Sequence, residues 1–218
     1  MKRVIILSQA RSGSTLAQRV LNTVPNSYIA GENKNFWYHI FKAYKSWEYI
    51  PTWETKLAES KGEKPFSYDT KTDAYKPCWF NENWDGNFYE MTESFRRMFD
   101  VMHWSVKING MANNRIQGFK EIRFPLEQKE FNEYLDWWRM LFPDIYFIFT
   151  VRDINEVVKS GWHKETDRKE LKQREKLLRS RKDAFLLEYG KQDWKGLFNY
   201  LDLDYNEKEV QRILNKKL

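Results

Sequence analysis

Residues 4–15 read VIILSQARSGST, and this stretch decides the fold. Its first four residues form an aliphatic, mostly β-branched run, which is typical of a strand buried on both faces of a parallel sheet. A loop of small and polar residues follows, and then Leu16, Val20, Leu21 and Val24 recur at helical spacing. The stretch therefore predicts a strand, a small-residue loop and a helix.

The same alternation continues on both sides of a different middle segment. Strands are predicted at 28–32, 115–122 and 145–151, and an amphipathic helix is predicted at 126–142. Helices are expected to fill most of the remainder. Strands alternating with helices predict an α/β fold, with a P-loop-like central parallel sheet flanked by helices.

The middle segment, about 33–115, is predicted to be a mainly helical insertion, with helices at 35–47 and 90–107. It holds six of the ten Trp residues. The length fits a single domain of 1–218 that carries this insertion. Its tryptophans either belong to a core or form an aromatic platform on which a sugar ring or a phenol could stack; the candidates are Trp37, Trp47, Trp79 and Trp84.

Cysteine content and hydropathy exclude several kinds of site and segment. The sole cysteine, Cys78, cannot form an internal disulfide, and a zinc or iron–sulfur site built from several thiolates is excluded. No apolar run near the start is long enough for a membrane span or a secretory leader. These observations predict a cytoplasmic protein.

The net charge of +6 is concentrated in one region. Residues 161–183 hold nine Lys and Arg against five Asp and Glu. This excess favours an anionic ligand, although the basic helix at 164–182 could be a lid or only a solvated face. Nucleic acid is not expected as a partner, because no nucleic-acid-binding motif accompanies the charge.

The loop at residues 11–15 has the composition of an anion site. A helix start offers unpaired N–H groups and the positive end of the helix dipole. Gly13 allows close backbone approach, Ser14 and Thr15 add hydroxyls, and Arg11 adds a guanidinium that can bind two oxygens. The Walker A and GxGxxG patterns are both absent. A merely structural turn is the alternative.

A second candidate anion site follows the strand at 145–151. Arg152 stands at the strand end, and Ser160 comes eight residues later, so both could approach one phosphate. The alternative is that Arg152 pairs with Asp153 or Glu156 at a helix start. Two such sites on neighbouring strands suggest a nucleotide with two separate phosphates.

These motifs resemble those of sulfotransferases that use 3′-phosphoadenosine 5′-phosphosulfate (PAPS). Residues 11–15 are similar to the family's 5′-phosphosulfate loop, and Arg152 with Ser160 is similar to its 3′-phosphate motif. Residues 118–123, GFKEIR, resemble a strand of the Golgi-type, tyrosylprotein-type and bacterial branches, where a lysine reaches the active site. With the closing helices, the resemblance covers about 1–32 and 116–205.

Two departures separate the chain from the cytosolic branch. Arg11 stands where the cytosolic enzymes have a lysine, which aligns the chain with the arginine-bearing branches. The cytosolic branch's late glycine-rich adenine motif is missing, so the adenine contacts stay unassigned.

The resemblance implies transfer of the sulfuryl group of PAPS to a hydroxyl or amine of a small-molecule or glycan acceptor, without a metal. The product nucleotide would be adenosine 3′,5′-bisphosphate (PAP). Arg11 and Lys120 would stabilise charge at the reacting group. The residues implied to bind the nucleotide are Arg11, Ser12, Gly13, Ser14 and Thr15 at the 5′ side, with Arg152 and Ser160 at the 3′-phosphate.

The resemblance also identifies a candidate base. Glu32 matches the glutamate that the tyrosylprotein and carbohydrate branches place after their second strand and use as base. Glu121 competes, but its neighbour in the strand is Lys120, so the two side chains are expected on opposite sheet faces. None of the three histidines, His39, His103 and His163, sits in the cytosolic branch's base motif.

Two other classes of function stay open from the sequence. A small-molecule or nucleoside kinase on the related P-loop architecture would need magnesium and a Walker lysine, which the loop lacks. A non-catalytic module that binds polyanions would need only the basic surface.

Overall fold

The computed structural model describes residues 1–46, 68–69, 74–75, 84–103, 116–160 and 168–215. The chain divides into two compact units. Met1–Phe36 with Asp100–Leu218 forms the sheet unit, and Trp37–Phe99 forms the helical unit. In chain order the described elements are β1 (Lys2–Ser8), α1 (Ser14–Leu21), β2 (Ser27–Ala30), α2 (36–46), β3 (Tyr68–Asp69), β4 (Ala74–Tyr75), α3 (Trp84–His103), β5 (Ile116–Glu121), α4 (Gln128–Leu141), β6 (Tyr146–Val151), α5 (Ile154–Lys159), α6 (Arg168–Arg179), β7 (Phe185–Glu188), α7 (Trp194–Tyr200) and α8 (Glu207–Leu214).

The sheet unit is an α/β layer structure, which confirms the predicted fold class. Five parallel strands lie in the order β2-β5-β1-β6-β7. β7 is a correction, because helices were expected to fill that region. Its four residues, at the edge of the sheet, are too few to produce a periodic sequence signal.

Apolar side chains point alternately to the two faces of the sheet, and helices cover both faces. Val4 and Ile6 of β1 pack in one cluster with Ala17 and Val20 of α1 and with residues of α7 and α8. On the other face, aromatic residues of α4 contact the strands: Phe119 lies 5.7 Å from Trp138, and Phe131 lies 6.1 Å from Phe149, between ring centroids. Burial on both faces explains why β1 is a continuous apolar run.

The order of the strands reverses next to β1. The chain passes from β1 to β2 and β5 on one side, and then crosses to β6 and β7 on the other. Open parallel sheets bind ligands outside the carboxyl ends of their strands at such a reversal. The topology therefore predicts a ligand site at the carboxyl ends of β1 and β6.

The helical unit contains α2, most of α3 and the antiparallel pair β3–β4. Trp37 is fully buried, and its ring centroid lies 5.6 Å from that of Phe99. This tryptophan is a core residue of the unit rather than part of an exposed platform. Trp47 and Trp79 lie outside the described residues, and α3 begins at Trp84 rather than at the predicted 90.

Among the described residues, no helix combines the length and the apolar character that crossing a bilayer requires.

Close approach of two strands requires a glycine in β5. A Cβ atom at Gly118 would lie 1.7 Å from the carbonyl oxygen of Val4 in β1. Real side chains do not approach a backbone oxygen so closely, so the backbone of β5 would have to move. That movement would displace Lys120, two residues further along the strand.

We expect Gly118→Ala to lower the free energy of unfolding by about 1–3 kcal/mol, the usual range for overpacking. Gly31→Ala is the matched control, because a Cβ at Gly31 would meet no atom within 4 Å. Urea denaturation of both variants measures the difference. Equal stability of the two variants would contradict the close approach.

Candidate functional site

The carboxyl ends of the parallel strands bring the predicted site residues to one edge of the sheet. Glu32 follows β2, Lys120 lies near the end of β5, the loop at 9–13 follows β1, and Arg152 follows β6. The strand order gives the same order along this edge. Because neighbouring strands are about 4.8 Å apart, the loop has Lys120 on one side and Arg152 on the other.

Ser12 fastens the loop to the end of β6. Its side chain is buried, and its hydroxyl lies 2.7 Å from Thr150 Oγ1 and 2.9 Å from the Thr150 carbonyl oxygen. It also contacts the carbonyl oxygen of Gln9, which accepts a hydrogen bond from the Ser12 N–H at 3.2 Å. The Ser12 side chain and N–H are therefore both engaged within the protein, and the loop owes its shape to them.

The start of α1 presents free donors. Its N-cap residue, Gly13, provides no side-chain cap. The N–H groups of Ser14, Thr15 and Leu16 have no acceptor within the helix, because the first turn of a helix always lacks one. Such N–H groups, together with the helix dipole, favour an anion.

Two residues of the loop have left-handed backbone conformations. Arg11 has a φ of 60° and Gly13 a φ of 91°. The side chain of Arg11 is exposed and contacts no carboxylate among the described residues. A non-glycine residue at positive φ is uncommon and is concentrated at functional loops. The loop thus holds a guanidinium in solvent beside the open helix start.

Arg152 reaches this loop from the end of β6. Its Nη1 donates to the carbonyl oxygen of Arg11 at 3.4 Å, and its Nη2 lies 3.4 Å from Glu156 Oε2. Asp153 instead caps α5, accepting from the N–H groups of Asn155 and Glu156. The structure therefore brings the Arg152 side chain to the backbone of Arg11. Among the described residues, Glu156 is the one carboxylate that pairs with the Arg152 guanidinium.

Gln9 and Tyr189 belong to this site although the sequence did not indicate them. Gln9 is fully buried; its Oε1 accepts from the Arg152 N–H at 3.1 Å, and its Nε2 has no partner. The Tyr189 ring lies beneath the Arg152 guanidinium, 4.3 Å from Cζ to ring centroid. A polar residue directly after a buried strand could have signalled Gln9, whereas Tyr189 depends on β7, which the sequence did not reveal.

Glu32 and Lys120 form an ion pair at the other end of the edge. Lys120 Nζ lies 2.8 Å from Glu32 Oε1, with 9% of the lysine side chain exposed and 34% of the glutamate side chain. The lysine is thus the buried partner, and the carboxylate is the accessible one. Oε2 of Glu32 accepts no hydrogen bond in the described part of the chain, so it is available to a ligand.

Glu121 has a different set of contacts from its neighbour Lys120. It is buried, and its carboxylate accepts hydrogen bonds from the backbone N–H groups of Asn35 at 3.0 Å, Ile122 at 2.9 Å and Arg123 at 3.1 Å. These bonds join the end of β5 to the turn that follows Glu32. A carboxylate that accepts three backbone hydrogen bonds has a structural role, because these bonds fix the backbone around it.

The side chain of Ser160 does not contact that of Arg152 through a hydrogen bond in the described part of the chain. It follows the last residue of α5, and its hydroxyl donates to the Val157 carbonyl oxygen at 2.6 Å. The six residues of α5 rise by about 9 Å, which separates the two side chains along the helix. No hydrogen bond joins Ser160 to Arg152 among the described residues.

The basic helix is anchored to the sheet unit over its described residues, 168–179. Leu171, Leu177 and Leu178 of α6 are buried. Arg174 donates to the Ile122 carbonyl oxygen at 2.7 Å and lies over the Phe124 ring. Many of its charges therefore occupy the outer face of a packed helix. Residues 164–167 of the predicted basic helix lie outside the described residues.

Arg179 of α6 also holds the end of β7. It donates to Glu188 Oε1 at 2.8 Å, and this hydrogen bond lowers the pKa of Glu188 from its ordinary value. Glu188 directly precedes Tyr189. The ion pair therefore supports the strand end that carries the ring under Arg152.

We expect Ser12→Ala to lower the free energy of unfolding by about 1–3 kcal/mol, because Thr150 Oγ1 loses its partner in a buried position. The matched control is Ser180→Ala, which removes a hydroxyl bonded only within its own helix end, to the Leu177 carbonyl oxygen. Urea denaturation compares the two. A smaller loss for Ser12→Ala than for the control would contradict this role.

The comparisons with known proteins identify a family for this chain. A family model described as the sulfotransferase family matches residues 3–197, including the middle segment that the motif resemblance had left uncovered. No curated protein matches the chain in a sequence search. The family match extends over most of the 218 residues and includes the loop, Lys120 and Arg152. The chain therefore belongs to the sulfotransferase family.

Proposed function

We propose that this sulfotransferase takes the sulfuryl group from PAPS and transfers it in line to a hydroxyl or amine of its acceptor. The observation that carries the proposal is the contact of the Arg152 guanidinium with the Arg11 carbonyl oxygen. Two candidate anion-binding residues, one after β1 and one after β6, are thus in contact through the side chain of Arg152 and the backbone of Arg11. A nucleotide with phosphates at both ends of its ribose is the ligand that such a pair fits.

The residues present fit this donor. The cradle at Gly13 is closed to any side chain, because a Cβ there would lie 2.8 Å from the Tyr189 ring. The first-turn N–H groups of α1 and the Arg11 guanidinium would hold the 5′ side. Arg152 would hold the 3′-phosphate, and the buried, unpartnered Nε2 of Gln9 lies in the same loop. The part assigned to Ser160 stays a prediction.

When bound, PAPS supplies a sulfuryl group on a good leaving group, so the protein's task is positioning and charge stabilisation. Arg11 and Lys120 would balance the negative charge that the departing 5′-phosphate gains. Lys120 can do this without releasing Glu32, since an ammonium group has three donors. Its burial strengthens such an interaction, because charges interact more strongly away from water.

Glu32 would act as the general base. As the acceptor oxygen or nitrogen bonds to sulfur, the bond from sulfur to the 5′-phosphate oxygen breaks, and the acceptor proton passes to Glu32 Oε2. Lys120 keeps the carboxylate in place through Oε1. The acceptor would then lie towards β2, on the opposite side of the loop from Arg152.

The acceptor class and the location are further parts of the proposal. A small-molecule or glycan acceptor would enter near Glu32, with the segment at 33–115 contributing to its choice. The lone Cys78 favours a reducing compartment, so we propose that the protein acts in the cytoplasm.

Calorimetric titration with PAP, without magnesium, tests the donor. We expect binding by the wild-type protein and at least about tenfold weaker binding by Arg152→Ala, because charge-assisted bonds to phosphate are lost. Adenosine 5′-monophosphate should bind the two proteins similarly. A preference for ATP with magnesium would favour a kinase, and a steep salt dependence without nucleotide preference would favour a polyanion-binding module.

Glu32→Gln tests the base. We expect turnover with the best acceptor of a phenol and glycan panel to fall by about 10²–10⁴-fold, the usual contribution of a general base. Its affinity for PAP should be unchanged. Glu209→Gln is the control, because Glu209 also pairs with a basic side chain, Arg212, but on α8. Turnover within threefold of wild type would remove Glu32 from the mechanism.

A further inference from the structure

Tyr189 lies between the two parts of the proposed nucleotide site. Its N–H donates to the Val151 carbonyl oxygen at 2.9 Å, so its backbone continues the pairing of β7 with β6. Its ring faces Gly13 at one edge, where a Cβ would come within 2.8 Å of Cδ2. The same ring carries the Arg152 guanidinium at 4.3 Å. One side chain therefore touches both the loop after β1 and the arginine after β6.

The hydrogen bonds of the Arg152 guanidinium are too weak to fix its position, so the contact with the Tyr189 ring matters more. Its contacts with Arg11 and Glu156 are both 3.4 Å long, at the weak end of the hydrogen-bond range. Its Nε is buried and has no hydrogen-bond partner among the described residues. The face of the guanidinium lies over the Tyr189 ring. A ring face attracts a cation and leaves the N–H groups at the guanidinium edge free to bind oxygens.

We propose that Tyr189 is a positioning residue that holds the Arg152 guanidinium for the 3′-phosphate, and that it thereby determines selectivity for nucleotides that carry this phosphate. The inference rests on the proposed function, since it needs Arg152 to bind the 3′-phosphate. Tyr189 acts through Arg152, so its contribution disappears when the arginine is absent. The ring matters for this role, whereas the phenol hydroxyl does not.

The test compares affinities for PAP and for adenosine 5′-monophosphate, measured by calorimetry without magnesium. The dissociation constant for adenosine 5′-monophosphate divided by that for PAP reports the contribution of the 3′-phosphate alone. We expect Tyr189→Leu to lower this ratio about three- to thirtyfold, the range of a cation–π contact that is partly desolvated. Tyr189→Phe should keep the wild-type ratio, because it keeps the ring.

Two controls separate positioning from general damage. Tyr28→Leu removes a tyrosine of matched exposure, 37% against 39%, from the opposite edge strand and should leave the ratio unchanged. In an Arg152→Ala background, Tyr189→Leu should cause little further change, because the two side chains act as one unit. Tyr189→Met, which fills the space without a ring face, should behave like Tyr189→Leu. Thermal unfolding of each variant checks that the fold is intact.

The outcomes distinguish this inference from the proposed function. If the wild-type protein prefers PAP and Tyr189→Leu keeps that preference, the inference is wrong and the proposed function stands. An equal fall in Tyr28→Leu, or a full further fall in the Arg152→Ala background, would also overturn it. A wild-type protein that does not distinguish the two nucleotides would overturn the 3′-phosphate assignment and this inference with it.

Discussion

The buried contact between Ser12 and Thr150 joins the loop after β1 to the end of β6, and the geometry of the candidate anion site depends on it. The hydroxyl and the Gln9 N–H both donate to the Thr150 carbonyl oxygen, at the point where the chain leaves the sheet. With this contact in place, the loop turns sharply enough to put Arg11 and Gly13 at positive φ. Strained conformations of this kind persist only where surrounding contacts determine them. Ser12, which the sequence predicts as a ligand-binding residue, therefore serves first to fix the shape of the loop.

The carboxylates of Glu32 and Glu121 lie close together in the chain fold but have different contacts, because side chains alternate between the two faces of β5. Lys120 and Glu121 are neighbours in β5, so their side chains leave opposite faces of the sheet. Glu121 is buried and accepts three backbone hydrogen bonds that hold the turn after β2. Glu32 precedes that turn; its Oε1 accepts a hydrogen bond from Lys120, and its Oε2 accepts none in the described part of the chain. The buried carboxylate thus anchors the chain next to the accessible one.

The sequence is sufficient for the parts of the site that lie in a strand-loop-helix pattern. Residues 4–15 form a local signal, because the apolar run, the small residues and the helical spacing are contiguous in the chain. Topology then brings Arg152 to the same edge. The contributions of Gln9 and Tyr189 are not predictable in this way. Gln9 matters through a contact with the backbone of β6, and Tyr189 matters because β7 is short, lies at the sheet edge and has no periodic signal. Such contacts between distant segments become visible only when the strand order is known.

The distribution of charge along the edge separates the two ends of the proposed reaction. At the end of β2 the charges of Glu32 and Lys120 cancel, whereas Glu156 is the one carboxylate among the described residues that pairs with Arg11 or Arg152. In α6, Arg174 and Arg179 pair with Glu170, Glu175 and Glu188. In the proposed site, an anionic nucleotide would meet the guanidiniums of Arg11 and Arg152 and the start of α1. A neutral acceptor would meet a balanced pair whose carboxylate can take a proton, so each end has the charge that its proposed ligand requires.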